Sequence, residues 1–92
     1  MSSILDDAKR LVLNTRQEEY GHPADDFAKT AKIWSAILGV HVRPEQVALC
    51  MVGLKLSRLV ETPDHRDSMV DAAGYLLTYS LVRERKQDAS DS

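Results

Sequence analysis

Apolar positions recur along this chain at helical spacing and are interrupted at three places by glycine or proline. Ile4, Leu5, Ala8, Leu11, Val12 and Thr15 form the first stripe. Ser2 or Ser3 suits its N-cap, and Asp6 and Asp7 fall in the first turn, where carboxylates favour the helix dipole. Tyr20-Gly21-His22-Pro23 ends it, since glycine permits a left-handed turn and proline cannot continue the hydrogen bonding.

Pro23 then suits the first turn of a second helix, with Asp25 and Asp26 at its positive end. Phe27, Ala31, Trp34 and Leu38, flanked by Ile33 and Ile37, give it a broad apolar face, and Gly39 is a cap. Pro44 and Glu45 open a third helix that is apolar almost all round from Val47 to Val60. Such a helix is expected to be the central element or an oligomer contact. Thr62-Pro63 ends it.

A fourth helix is expected to start within Asp64 to Asp67 and to run to about Arg85, with Met69, Val70, Ala72, Ala73, Leu76, Leu77, Leu81 and Val82 apolar. The polar stretch from Arg83 is expected to fray, leaving a helical domain over residues 1–86 and a disordered tail over 87–92. No strand-like alternation of useful length occurs. The pattern predicts an all-α fold, a four-helix antiparallel bundle with short connections.

Ninety-two residues make one domain with a marginal core, for which self-association is a common remedy. A formal charge of −2 argues against non-specific nucleic-acid binding. The one cysteine, Cys50, allows no internal disulfide, and its apolar neighbours place it in the core. No apolar stretch approaches the ~20 residues that span a bilayer, and the N-terminus lacks an apolar signal core. The expectation is a cytoplasmic protein with no membrane partner.

Two constellations carry possible chemistry. Lys55 and Arg58 are three apart on the third helix, while Asp67 and Asp71 are four apart on the fourth, with Tyr75 one turn further on. Antiparallel packing would let the cations face the carboxylates. Such a cluster is either a salt-bridge network docking the two helices or a polar pocket. A pocket would offer cations for phosphate oxygens and carboxylates for a divalent ion or a ribose hydroxyl. The second constellation is Arg16, Glu18, Glu19, Tyr20, Gly21, His22 and Pro23, a turn able to clamp a base or phosphate or simply to stop a helix. His22, His41 and His65 show no metal-ligand spacing, and phosphate-binding glycine loops and nucleophile elbows are absent.

Arg16 with Tyr20-Gly21-His22-Pro23, then Phe27 and Trp34, Lys55-x-x-Arg58, and Asp67-Ser68-x-x-Asp71-x-x-Gly74-Tyr75 together resemble a known pattern. It is that of a family of small helical phage and prophage proteins of unknown function, often labelled MazG-like. The resemblance covers about residues 10 to 80. MazG-type proteins are all-α nucleoside triphosphate pyrophosphohydrolases, dimeric or tetrameric, that hold magnesium through acidic pairs on two successive helices.

The resemblance implies a MazG-like bundle in which Asp67 and Asp71 are the catalytic and magnesium-binding carboxylates. It also implies that Arg16, Tyr20, His22, Lys55, Arg58 and Tyr75 bind a nucleotide or nucleotide-derived molecule. The product would be a monophosphate and pyrophosphate, formed in the host cytoplasm by a homodimer or higher homo-oligomer. The chain departs from the pattern where Lys55 and Arg58 replace the first acidic pair, which reverses the local charge. Three functions follow: a magnesium-dependent hydrolase, a non-catalytic nucleotide or nucleotide-signal binder, and a structural or adaptor oligomer.

Overall fold

Most helix ends fall on the residues that the chain's punctuation picks out. The computed structural model describes residues 3–91, with side chains through Lys86. Ser3 caps the first helix, its Oγ accepting the Asp6 backbone N–H at 3.0 Å; Ser2 lies outside the described residues. Helix α1 (Ile4–Arg10), a π-helical turn (Leu11–Thr15) and α2 (Arg16–Tyr20) run end to end. Within the π turn the Arg16 N–H reaches back to the Leu11 carbonyl, one residue further than an α-helix allows.

Gly21, at φ 79°, lets the chain leave α2. His22 caps α3 (Pro23–Leu38) with its ring: Nδ1 accepts the Ala24 N–H at 3.0 Å. Gly39, left-handed at φ 72°, closes α3 by donating its N–H to the Ser35 carbonyl. The Ser35 hydroxyl donates to the Ala31 carbonyl at 2.7 Å and accepts the Val42 N–H at 2.8 Å, folding the connection back along the helix.

Helix α4 (Pro44–Glu61) opens with the Arg43 N–H bonded to the Gln46 side chain at 2.9 Å, and it stops at Thr62. Before α5 (Arg66–Asp91), His65 Nδ1 lies 2.7 Å from the buried Ser68 hydroxyl and accepts the Ser68 N–H. The described residues thus form an all-helical fold without strands. The backbone of α5 is helical past the expected end near Arg85, through Asp91; side chains of the expected tail, 87–92, lie outside the described residues.

The centre of the bundle is α5, which touches α1, the π turn, α3 and α4. This corrects the expectation that the apolar helix α4 is central. Only one side of α4 faces inward, through Val47, Ala48, Met51, Val52, Lys55 and Leu59, while Leu49, Leu54, Leu56 and Val60 are exposed. Cys50, expected in the core, is exposed as well. Trp34 and Phe27 are half-buried.

What α5 offers instead is smallness. Its buried face carries Ser68, Val70, Gly74, Thr78 and Val82, so neighbouring helices approach closely. A Cβ placed on Gly74 would lie 3.2 Å from Val12 Cγ2 of the π turn. Ion pairs tie the rest of α5 down: Arg66 to Asp7 of α1, Arg85 to Asp25 of α3, and Lys86 to Glu45 of α4.

Candidate functional site

The π turn decides where Arg16 and Tyr20 point. Its additional residue rotates α2 relative to α1 and turns both side chains towards α5. There the Arg16 guanidinium lies over the Tyr75 ring, 6.0 Å from the centroid. Phe27 of α3 approaches the same ring from another side, with centroids 6.3 Å apart and planes tilted by 46°. Leu11, Val12, Pro23, Gly74 and Thr78, with the carboxylates of Asp26 and Asp71, complete a cleft whose rim is Tyr20, 56% exposed, and Gly21.

The cleft is narrow. Its cavity volume of about 20 Å³ holds roughly one water. At its edge Asp71 Oδ2 pairs with Lys55 Nζ of α4 at 2.9 Å, the side chains only 27% and 13% exposed. This pair neutralises the carboxylate and the ammonium together, so neither stands as an isolated charge. Arg16 differs: among the described residues no carboxylate pairs with it.

The expected sites therefore divide. Arg16, Tyr20, Asp71 and Tyr75 come together in the cleft, and Lys55 joins them through Asp71. His22 does not line it, because its ring is committed to capping α3. Arg58 and Asp67 do not face each other as the spacing predicted. Arg58 is exposed beside Ser57, Glu61, Thr62, His65 and Ser68, while Asp67 is exposed in the first turn of α5. Residues three apart differ by about 60° around a helix, so turning Lys55 inward leaves Arg58 at the margin.

Phe27 and Gly74 belong to the site although the sequence reading placed Phe27 in the core and gave Gly74 no role. The signal for Gly74 was present in Asp71-x-x-Gly74-Tyr75, which puts the small residue beside the two that shape the cleft.

A magnesium site was the sharpest expectation here, and the residues do not fit one. Asp71 is engaged by Lys55, Asp67 is exposed and outside the cleft lining, and α4 contributes cations. Among the described residues no group of three or more His, Cys, Asp or Glu side chains is placed to hold a metal ion. A divalent ion needs several oxygen ligands of net negative charge.

No helix among the described residues is long and apolar enough to cross a membrane. The chain is 40% identical over 73 residues to the Gene 55 protein of Mycobacterium phage D29, covering 79% of this chain and 48% of that protein. It is 38% identical over 74 residues to the Gene 55 protein of Mycobacterium phage L5, covering 79% and 47%. The chain thus spans about half the length of these curated relatives. No solved structure matches it. Residues 3–82, which include the whole cleft, match the model of a family described as a domain of unknown function, DUF6378, and the chain belongs to that family.

Proposed function

We propose that the cleft between the π turn, α2, α3 and α5 binds a planar, anionic small molecule of the nucleotide class without turning it over. The observation that carries this is the Arg16–Tyr75–Phe27 arrangement: an unpaired guanidinium on an aromatic wall, opening beside Tyr20. Aromatic faces take a base by stacking, and a free guanidinium takes phosphate through its planar fork. Cation and ring are both spent on the ligand only when it carries both features.

Entry requires the cleft to widen. Tyr20 sits at the end of α2, a helix of five residues bounded by the π turn and Gly21, so swinging it outward disturbs little packing. MazG-like hydrolysis to monophosphate and pyrophosphate is the other reading that the sequence resemblance carries. Its magnesium ligands would be Asp67 and Asp71, and their placement favours binding over that chemistry.

The test is a thermal-shift and calorimetric screen of nucleoside mono-, di- and triphosphates and cyclic nucleotides, in EDTA and with Mg²⁺. A ligand at a hundred times its Kd should add ~2.7 kcal/mol to stability. Arg16→Ala should weaken binding about tenfold or more, roughly 1.4 kcal/mol, with the melting temperature of the free protein little changed. A screen in which no nucleotide stabilises the protein would overturn the reading. Pyrophosphate release dependent on Mg²⁺ would replace it with hydrolysis.

A further inference from the structure

Turns between helices are ordinarily polar, because they run along the water-facing surface. The turn after α3 is not. Ile33, Ile37, Leu38 and Val40 are 54%, 75%, 62% and 62% exposed, and the last three surround the left-handed Gly39. Leu38 follows Ala31 and Trp34 on the inward side of the helix, where neighbours should cover it. Its exposure means that the end of α3 projects past the rest of the bundle. The projection is held in place: the Ser35 hydroxyl accepts the Val42 N–H at 2.8 Å, and the Gly39 N–H closes on the Ser35 carbonyl. Single exposed aliphatic residues are ordinary, but four gathered at one fixed tip mark a contact surface.

Charge indicates what meets it. From Phe27 to Arg43 the chain has no aspartate or glutamate, although its formal charge is −2. Lys29, Lys32 and Arg43 fall in that stretch, and Arg43 is paired with Glu45. Lys29 and Lys32 are exposed, and among the described residues neither has a carboxylate partner. They share the outward side of α3 with Ile33, Ala36 and Ile37, at steps of three and four. At 1.5 Å per residue, Lys32 lies about 8 Å behind Ile37 along the axis and Lys29 about 12 Å. Amphipathic elements enter a bilayer surface by ~5–10 Å, so the ammonium groups reach the phosphates as the tip reaches the acyl chains. A protein partner would need a hollow shaped to this convex tip. A fluid lipid surface needs only the charge and the aliphatic residues.

We infer that the α3–α4 tip docks the protein on an anionic phospholipid surface, with Ile37, Leu38 and Val40 inserted and Lys29 and Lys32 on the headgroup phosphates. The contact is peripheral, and no described helix is needed to cross the membrane. It runs against the expectation of no membrane partner, which rested on the whole chain's charge and on the absence of a spanning segment. Neither quantity registers cations and aliphatic residues gathered at one place.

The experiment is flotation of the full chain with vesicles of phosphatidylglycerol and phosphatidylcholine, or of phosphatidylcholine alone. Trp34, the single tryptophan, lies one turn before Ile37 and Leu38 and reports insertion by a blue shift of its emission. Wild type should float with the anionic vesicles, less so as salt rises, and much less with the neutral ones. Lys29→Gln with Lys32→Gln should weaken binding roughly thirtyfold, at ~1 kcal/mol per lysine. Ile37→Ser with Val40→Ser should weaken it about tenfold or more, without the blue shift. These four side chains are exposed, so circular dichroism and melting temperature should stay at their wild-type values. Protein left unbound at millimolar anionic lipid would overturn the inference, as would binding that keeps its strength in Ile37→Ser with Val40→Ser. Binding of poly-glutamate through the two lysines without flotation would overturn it in favour of an acidic protein segment.

Discussion

Gly74 and Gly53 are both helical glycines, on neighbouring helices, and they sit in opposite environments. At Gly74 a methyl group would press on Val12 at 3.2 Å, whereas at Gly53 it would meet open space. The first glycine is explained by the fold of one chain: it lets the π turn lie close on α5 and so frames the cleft. The second is explained by nothing in that fold.

The largest expected effect breaks this comparison directly. Gly74→Leu should destabilise the protein by about 1–3 kcal/mol, because Val12 is buried and β-branched and cannot rotate clear. Gly53→Leu should leave the helical fold intact by circular dichroism, since a side chain there meets nothing within 4 Å. Equal losses at the two positions in denaturant titrations would mean that the open space at Gly53 is not open.

An intermediate effect tests the inner side of α4, which ionic contacts hold. Glu45 is 6% exposed at the start of the helix. Burial pushes its carboxyl up, but the Lys86 hydrogen bond, its own backbone N–H and the Lys86 and Arg43 charges outweigh this and hold it below the ordinary 4.5. A carboxyl lowered in the folded state stabilises fully above its unfolded value, and that gain is lost as pH falls through the folded value. Glu45→Gln should therefore cost about 1–2 kcal/mol at pH 7, with the gap from wild type closing below pH 4.5. A gap that widened in acid would reverse the sign argued here.

The smallest effect concerns the edge of the cleft. His22→Ala should remove the α3 cap and cost about 1 kcal/mol in thermal unfolding, while His22→Asn should retain most of it. Loss of ligand affinity in both variants without loss of stability would return His22 to the binding site.

Helix ends were legible because each depends on one or two residues with a fixed backbone preference. Ser3, Pro23, Gly39, Pro44 and Thr62 act locally, and the structure uses each where the pattern placed it. The inward face of α4 was not legible, because a helix apolar all round carries no asymmetry from which to read it. The small residues of α5 decided the matter, and hydrophobic periodicity gives glycine and serine no weight. The cleft was half legible: Arg16, Tyr20 and Tyr75 stood out by type, but their meeting depends on the π turn, which has no sequence signature of its own.

That turn makes helical phase a matter of residue count. With the Arg16 N–H bonded to Leu11, everything after Thr15 is rotated by about 100° from where an uninterrupted α-helix would carry it. Deleting Leu13 or Asn14 would keep every side chain of the cleft and still point Arg16 and Tyr20 away from Tyr75. In this chain, then, the order of Arg16 and Tyr20 does not by itself make the cleft. The number of residues between the first helical turn and Arg16 does as much.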